Sequence, residues 1–157
     1  MSEFTVRQAL ISDAEEIQAC LRTAFGNFLD SYTREAFLDT VPTLENVRDR
    51  FHTMSLFVAE DTNRKVVGTV AYYLKSFEEG YIRGMAVLPE WQGKGVARQL
   101  LETAEAEIRG HGRKRVSLDT TDPLERAIHF YEKQGYRRTG NVEDFFGMPL
   151  HEFTKNL

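Results

Sequence analysis

Hydrophobic and polar positions along this chain change period several times, and each change marks an element. Phe4-Thr5-Val6-Arg7 alternates as a strand does. Ser12-Asp13-Ala14-Glu15 has the spacing of a capping box, and Ile17, Leu21, Ala24 and Phe25 then share one helical face. Residues 26–42 are aromatic with little period; the pattern predicts a short helix around Arg34 to Asp39. Pro42-Thr43 opens a further helix carrying Leu44, Val47 and Phe51. Leu56-Phe57-Val58-Ala59 is a buried-type strand, Asp61-Thr62-Asn63 a turn, and Lys65 to Lys75 the returning arm of a hairpin.

A second turn, Ser76 to Gly80, leads to the most strongly patterned stretch, Tyr81 to Ile108. Its apolar strand (Ile82, Met85, Ala86, Val87, Leu88) stops at Pro89, which has no N–H for a continuing ladder. After Glu90-Trp91-Gln92-Gly93-Lys94-Gly95-Val96-Ala97, apolar positions Ala97, Leu100, Leu101, Ala104 and Ile108 recur at helical spacing. Gly110 and Gly112 are terminators, and Val116-Ser117-Leu118-Asp119 is the next strand. A strand, helix and strand so spaced make a βαβ unit with parallel strands. Asp122-Pro123-Leu124-Glu125 predicts another N-terminus with Asp122 as cap, and Gly135 closes that helix. Tyr136 to Thr139 and Pro149 to Thr154 read as two closing strands around Phe145-Phe146-Gly147. The expected fold is an α/β domain over residues 1–157: one mixed, mostly antiparallel sheet with a central parallel pair and about four helices.

Composition narrows the function. With 157 residues, 41% hydrophobic, the chain can build one sizeable core. Its net charge of −4 gives no electrostatic case for nucleic acid. Cys20 is the single cysteine, so no internal disulfide forms, and it reads as a small buried hydrophobe. No window reaches the length of a membrane span, and Met1-Ser2-Glu3-Phe4 lacks a signal peptide's character, so a cytoplasmic location is expected. No metal-binding motif is present.

The candidate chemistry lies in the turn after Pro89. A turn feeding a helix leaves N–H groups without partners at the positive end of the helix dipole. Gly93 and Gly95 carry no Cβ, so an anion can approach them closely. A P-loop requires Lys-Ser/Thr after its last glycine, whereas Val96 and Ala97 follow Gly95; a dinucleotide fingerprint requires glycine where Arg98 stands. Gln92, Gly95 and Ala97 instead spell Gln-x-x-Gly-x-Ala. After Val87-Leu88-Pro89 this resembles the acetyl-coenzyme A signature of the GNAT N-acetyltransferases. A second block, Ala127-Ile128-His129-Phe130-Tyr131-Glu132-Lys133-Gln134-Gly135-Tyr136, is similar to that family's Ala-x-x-Phe-Tyr-x-x-x-Gly-Phe/Tyr helix end.

The resemblance implies roles residue by residue. Amides from Gln92 through Gly93, Lys94, Gly95, Val96 and Ala97 would hold the pyrophosphate of acetyl-CoA. The backbone of Met85, Ala86 and Val87 would pair with the pantetheine arm, the Val87 N–H lying near the thioester oxygen. Tyr131 matches the tyrosine that protonates the departing thiolate. The glutamate that relatives carry on the central strand as base falls at Tyr81, so Asp119 on the neighbouring strand is the preferred base, through water, with Glu78 and Glu79 as alternatives. Asp119 can equally be a strand-end carboxylate that binds local backbone. Relatives' pantetheine-contacting asparagine is Leu124 here. Lys94, Arg98 and the cluster Arg113-Lys114-Arg115 are cations for the coenzyme's phosphates, though the cluster also reads as a solvated basic face. Phe25, Phe28, Tyr32, Phe145, Phe146 and His151 are expected to wall an acceptor slot, or else to serve as core or a homodimer surface. The implied function is acetyl transfer from acetyl-CoA to a primary amine of a small molecule, peptide N-terminus or lysine. The alternative is an acyl-CoA-binding regulatory or scaffold module without efficient catalysis.

Overall fold

The computed structural model describes residues 3–157. Its strands are β1 (Phe4–Gln8), β2 (Ser55–Asp61), β3 (Val66–Leu74), β4 (Glu79–Val87), β5 (Arg115–Thr121), β6 (Arg137–Phe145) and β7 (Met148–Asn156). They form one sheet in the order β1-β2-β3-β4-β5-β7-β6. Every neighbouring pair is antiparallel except β4 and β5, which run parallel as the βαβ pattern requires. The described helices number five, not about four: α1 (Ala14–Phe25), α2 (Arg34–Thr40), α3 (Leu44–Thr53), α4 (Val96–Gly110) and α5 (Glu125–Lys133). Short 3-10 turns lie at Ile11–Asp13, Gly26–Ser31 and Pro89–Trp91.

Helices α1 and α4 pack on β3 and β4, and the core runs through Ile17, Leu21, Val67, Val70, Ile82, Leu100 and Ile108. Residues Val66 to Tyr72 of β3 are buried without a break, as expected of a central strand covered on both faces. Glycines set how closely α4 lies: a Cβ on Gly80 would come within 2.7 Å of Ile108, and one on Gly68 within 2.9 Å of Val96.

Two predicted caps do not form. Asp13, not Ser12, precedes α1, and its carboxylate is drawn away from the helix. It accepts from Arg7 at 2.8 and 2.9 Å and from the Leu10 N–H at 2.7 Å. At α5 the cap position is Leu124, because β5 runs to Thr121 and the turn consumes Asp122 and Pro123. Asp122 instead lies 2.9 Å from His151 Nε2, without hydrogen-bond alignment.

The feature that opens a site is the short β4–β5 pairing. It spans only Glu79↔Arg115, Gly80↔Val116 and Tyr81↔Ser117, although both strands continue for several residues. On its other side β4 shifts register against β3 between Thr69 and Ala71, with Gly84 at φ +64°. An extra residue in one strand bends it and increases its twist. Gly84 takes the left-handed conformation that a side chain would resist. β4 therefore diverges from β5, and a cleft opens between them.

Candidate active site

The cleft encloses about 700 Å³ and is lined chiefly by apolar side chains. At one end lies the turn from Gly93 to Val96, at the other α1, α2 and α3, with β4 and β5 as walls. Leu88 N–H donates to Val67 of β3 at 2.9 Å. Alternation along a strand then turns the Val87 N–H to the opposite edge, where β4 has no strand partner beyond Tyr81.

The turn supplies main-chain donors. Gln92 N–H is spent on Pro89 O at 3.2 Å, because the 3-10 turn over Pro89–Trp91 reaches one residue into the predicted cradle. The next six amides, Gly93 to Arg98, have no acceptor among the described residues; α4's own pattern begins with Gln99 N–H to Gly95 O. Gly93 and Gly95 sit at φ +78° and +85°, and a Cβ on either would project into open space rather than into protein. No side chain caps the helix. Consecutive unpartnered N–H groups at a helix start form an anion-binding surface. Gln92 contributes differently: its side-chain amide donates to Val87 O at 3.4 Å and ties the turn to the end of β4. Lys94 Nζ stands over the Trp91 ring and 3.7 Å from Glu3, outside the cleft lining, whereas Arg98 and Arg126 line it.

Tyr131 is 7% exposed and lines the cleft. Its ring packs edge-on against Tyr136. The hydroxyl has no hydrogen-bond partner among the described residues, and burial alone holds its pKa well above a phenol's usual value. It keeps its proton, and so stays a hydrogen-bond donor, at all working pH. Leu124 and Ala127 line the same wall.

Asp119 and Tyr81 face each other across the splay. Tyr81 Oη donates to Asp119 Oδ2 at 2.5 Å, so the carboxylate binds a side chain on the next strand, not local backbone. Burial raises the Asp119 pKa above the usual carboxylate range, the Tyr81 hydrogen bond opposes this, and repulsion from Glu152 adds to it. Burial and the same carboxylate push the Tyr81 phenol far up. A polar cavity of about 260 Å³ lies on the far side of this pair, so both residues stand in the wall between two cavities.

The other predicted carboxylates are elsewhere. Glu78 is exposed at a turn. Glu79 accepts from Arg115 at 2.6 Å and Ser117 at 2.9 Å; burial lifts its pKa, but these bonds and Lys75 outweigh it and hold it low. Arg113 donates to Ser76 O and Arg115 to Glu79, which puts the basic cluster at the β3–β4 turn, away from the cleft. Phe25, Phe28, Tyr32 and Phe145, expected around an acceptor, line the cleft; Phe146 and His151 do not. Tyr32 is held by a 2.5 Å hydrogen bond with Thr121. Cys20 is 1% exposed, with burial pushing its thiol up to about 12, so it is unreactive packing. Among the described residues no cluster of His, Cys, Asp and Glu is placed to hold a metal, and no helix is long and apolar enough to cross a membrane.

Sequence reasoning missed Gly84, Arg50, Arg83 and Thr120, all in the cleft wall. A lone glycine inside a strand pattern was a usable bulge signal. Arg50 and Arg83 carried none, since solvated arginines on helices and strands look the same.

Comparison with known proteins bears on the family and the fold. The model of the acetyltransferase (GNAT) family matches residues 15–136. A GNAT-family acetyltransferase from Staphylococcus aureus Mu50 superposes with a TM-score of 0.79 at 18% identity, covering 98% of this chain and 99% of that one. The PaiA N-acetyltransferase of Thermoplasma acidophilum, in complex with coenzyme A, gives 0.79 at 20% identity over 100% of both chains. A GNAT-family acetyltransferase of Elizabethkingia anophelis with acetyl-CoA bound gives 0.70 at 19%, again over 100% of both. At these identities the structural likeness is one of fold.

Proposed function

This chain belongs to the GNAT acetyltransferases, a family of acyltransferases, and from that premise we propose that it moves an acetyl group from acetyl-CoA to a primary amine by direct attack in a ternary complex. The observation that carries the reading is the run of six amides, Gly93 to Arg98, without acceptors among the described residues, at one end of a cleft that also holds the Tyr131 hydroxyl. Residues 1–157 act as one catalytic domain in this reading.

The amides receive the diphosphate, with Arg98 and Arg126 near the remaining negative charge. The edge of β4 at Met85, Ala86 and Val87 takes the pantetheine arm as an added strand, since β5 leaves that edge open. The Val87 N–H then faces the thioester oxygen, where negative charge develops as the amine attacks. An alkylamine with pKa near about 10.4 arrives protonated at neutral pH and must lose a proton first. Asp119 takes it through water, its burial-raised pKa making it a better base than an ordinary carboxylate. As the C–S bond breaks, the Tyr131 hydroxyl donates its proton to the sulfur and the attacking nitrogen gives up its second proton to water, leaving the amide and free thiol as products. The phenolate recovers its proton from solvent, as its raised pKa requires.

The test is thiol release from acetyl-CoA across a panel of amines, with Tyr131→Phe alongside. Amine-dependent release that falls about 10²-fold or more in the variant supports the reading, since positioned acids contribute roughly that much. Binding of acetyl-CoA with no amine accelerating release would point to a binding module instead.

A further inference from the structure

The end of the cleft away from the glycine turn holds a cation without a counter-ion among the described residues. Arg50 lies on α3, three residues after fully buried Val47, so the helix turns both toward the sheet. Its guanidinium lines the cleft and lies against the β4 bulge: a Cβ on Gly84 would stand 3.2 Å from Nη1. No hydrogen bond or salt bridge to the Arg50 guanidinium exists among the described residues. The nearest charged neighbours are Arg83 and Asp39, which pair with each other at 3.2 Å. Two guanidinium groups thus share one carboxylate, and one positive charge is left over. Burial first and Arg83 next lower the Arg50 pKa to about 10, against a smaller opposing pull from Asp39. Leaving a half-buried cation unpaired is costly. A guanidinium fork presents parallel N–H donors that fit a planar carboxylate.

We propose that Arg50 is a specificity-determining residue that receives a carboxylate of the acceptor, so that the preferred acceptor is an amine bearing a carboxylate on the same molecule. This rests on the acetyl-transfer reading above. Gly84 lies beside the same group: at φ +64° it favours glycine, and a Cβ there would crowd the guanidinium by a few tenths of an ångström. The aromatic lining from Phe25, Phe28 and Tyr32 accommodates an apolar portion between the two polar ends of the acceptor.

The experiment compares acceptors that differ in the carboxylate: phenylalanine against 2-phenylethylamine, and β-alanine against ethylamine. Rates are referred to the free-base fraction of each amine, because the pairs differ in pKa. Wild type is expected to favour the carboxylate member by at least about tenfold in kcat/KM. Arg50→Met collapses that ratio by about 10- to 100-fold, the range of a charge-assisted hydrogen bond, with the loss mainly in KM. Arg50→Lys keeps the charge but not the fork and falls between. Unaltered acetyl-CoA binding by Arg50→Met establishes that the variant is folded. Wild-type preference for the carboxylate-free amines or for spermidine overturns the inference, as does an equal loss for both members of each pair. Turnover of some amine with that outcome leaves acetyl transfer standing; absence of turnover with every amine removes acetyl transfer itself.

Discussion

Replacing Tyr81 with Phe removes one hydroxyl from the wall of the cleft, and the structure says what that does to Asp119. In the intact protein burial pushes the Asp119 carboxyl upward, and the 2.5 Å bond from Tyr81 holds it down. A hydrogen bond to a charged acceptor is worth about 1.5–3 kcal/mol, and about 1.36 kcal/mol corresponds to one pH unit. Loss of the bond should therefore move the acid limb of the kcat/KM profile upward by about 1 to 2 pH units. The assay is thiol release with one fixed amine from pH 5 to about 9, read as the ratio of variant to wild type so that the amine's own ionisation cancels. The ratio should fall on the acid side and recover to a plateau as pH rises. Stability carries a matching sign. A carboxyl whose folded pKa lies above its unfolded value, about 3.9, costs nothing while protonated in both states, costs stability as pH rises above the unfolded value, and reaches its full cost once pH passes the folded pKa. Tyr81→Phe should accordingly melt close to wild type at pH 3 and progressively below it toward neutrality. A limb that stays in place or moves down would refute the assignment of Asp119 as base. A rate loss equal at every pH would make Tyr81 a packing residue only.

Gly95→Val forces a branched residue into φ +85° and puts carbon over the amide surface; acetyl-CoA affinity measured by calorimetry should drop at least about tenfold, with destabilisation of about 1–2 kcal/mol. Tyr131→Phe should lower kcat about 10²-fold while changing the Kd for acetyl-CoA less than about threefold, because the hydroxyl acts on the sulfur only as the bond breaks. Asp13→Asn removes the carboxylate that Arg7 and the Leu10 N–H hold well below its usual pKa. Because that pKa is depressed on folding, the contribution is present at neutral pH and lost as pH falls through the folded value. Denaturant unfolding should show a loss of about 1–2 kcal/mol at pH 7 that shrinks toward pH 2.

The unit from Tyr81 to Thr121 was legible because each of its signals is local. Apolar strand residues, the stop at Pro89, two glycines and a helical stripe lie within one continuous stretch, and the structure returns them as β4, turn, α4 and β5. What the sequence hid depends on partners far along the chain. Ser12 looks like a cap, but Arg7 claims the neighbouring Asp13 and shifts the helix start. Asp122 looks like a cap, but β5 extends to Thr121 and delays α5. Gln92 looks like part of the amide surface until the 3-10 turn takes its N–H. Asp119 and Tyr81 are 38 residues apart, and only the parallel register brings them together. Glu79 opens β4 itself and Glu78 precedes it, yet both lie outside the cleft lining, at the end of the strand where Glu79 meets Arg115.

In the proposed complex the main-chain amides from Gly93 to Arg98 grip the diphosphate of acetyl-CoA. Amide-resolved NMR during titration with acetyl-CoA tests it most directly. The prediction is large shifts and slowed exchange at these six N–H groups, with Gln92, already bonded to Pro89, changing least in the turn. Saturation that leaves the six amides unmoved while others respond would contradict it.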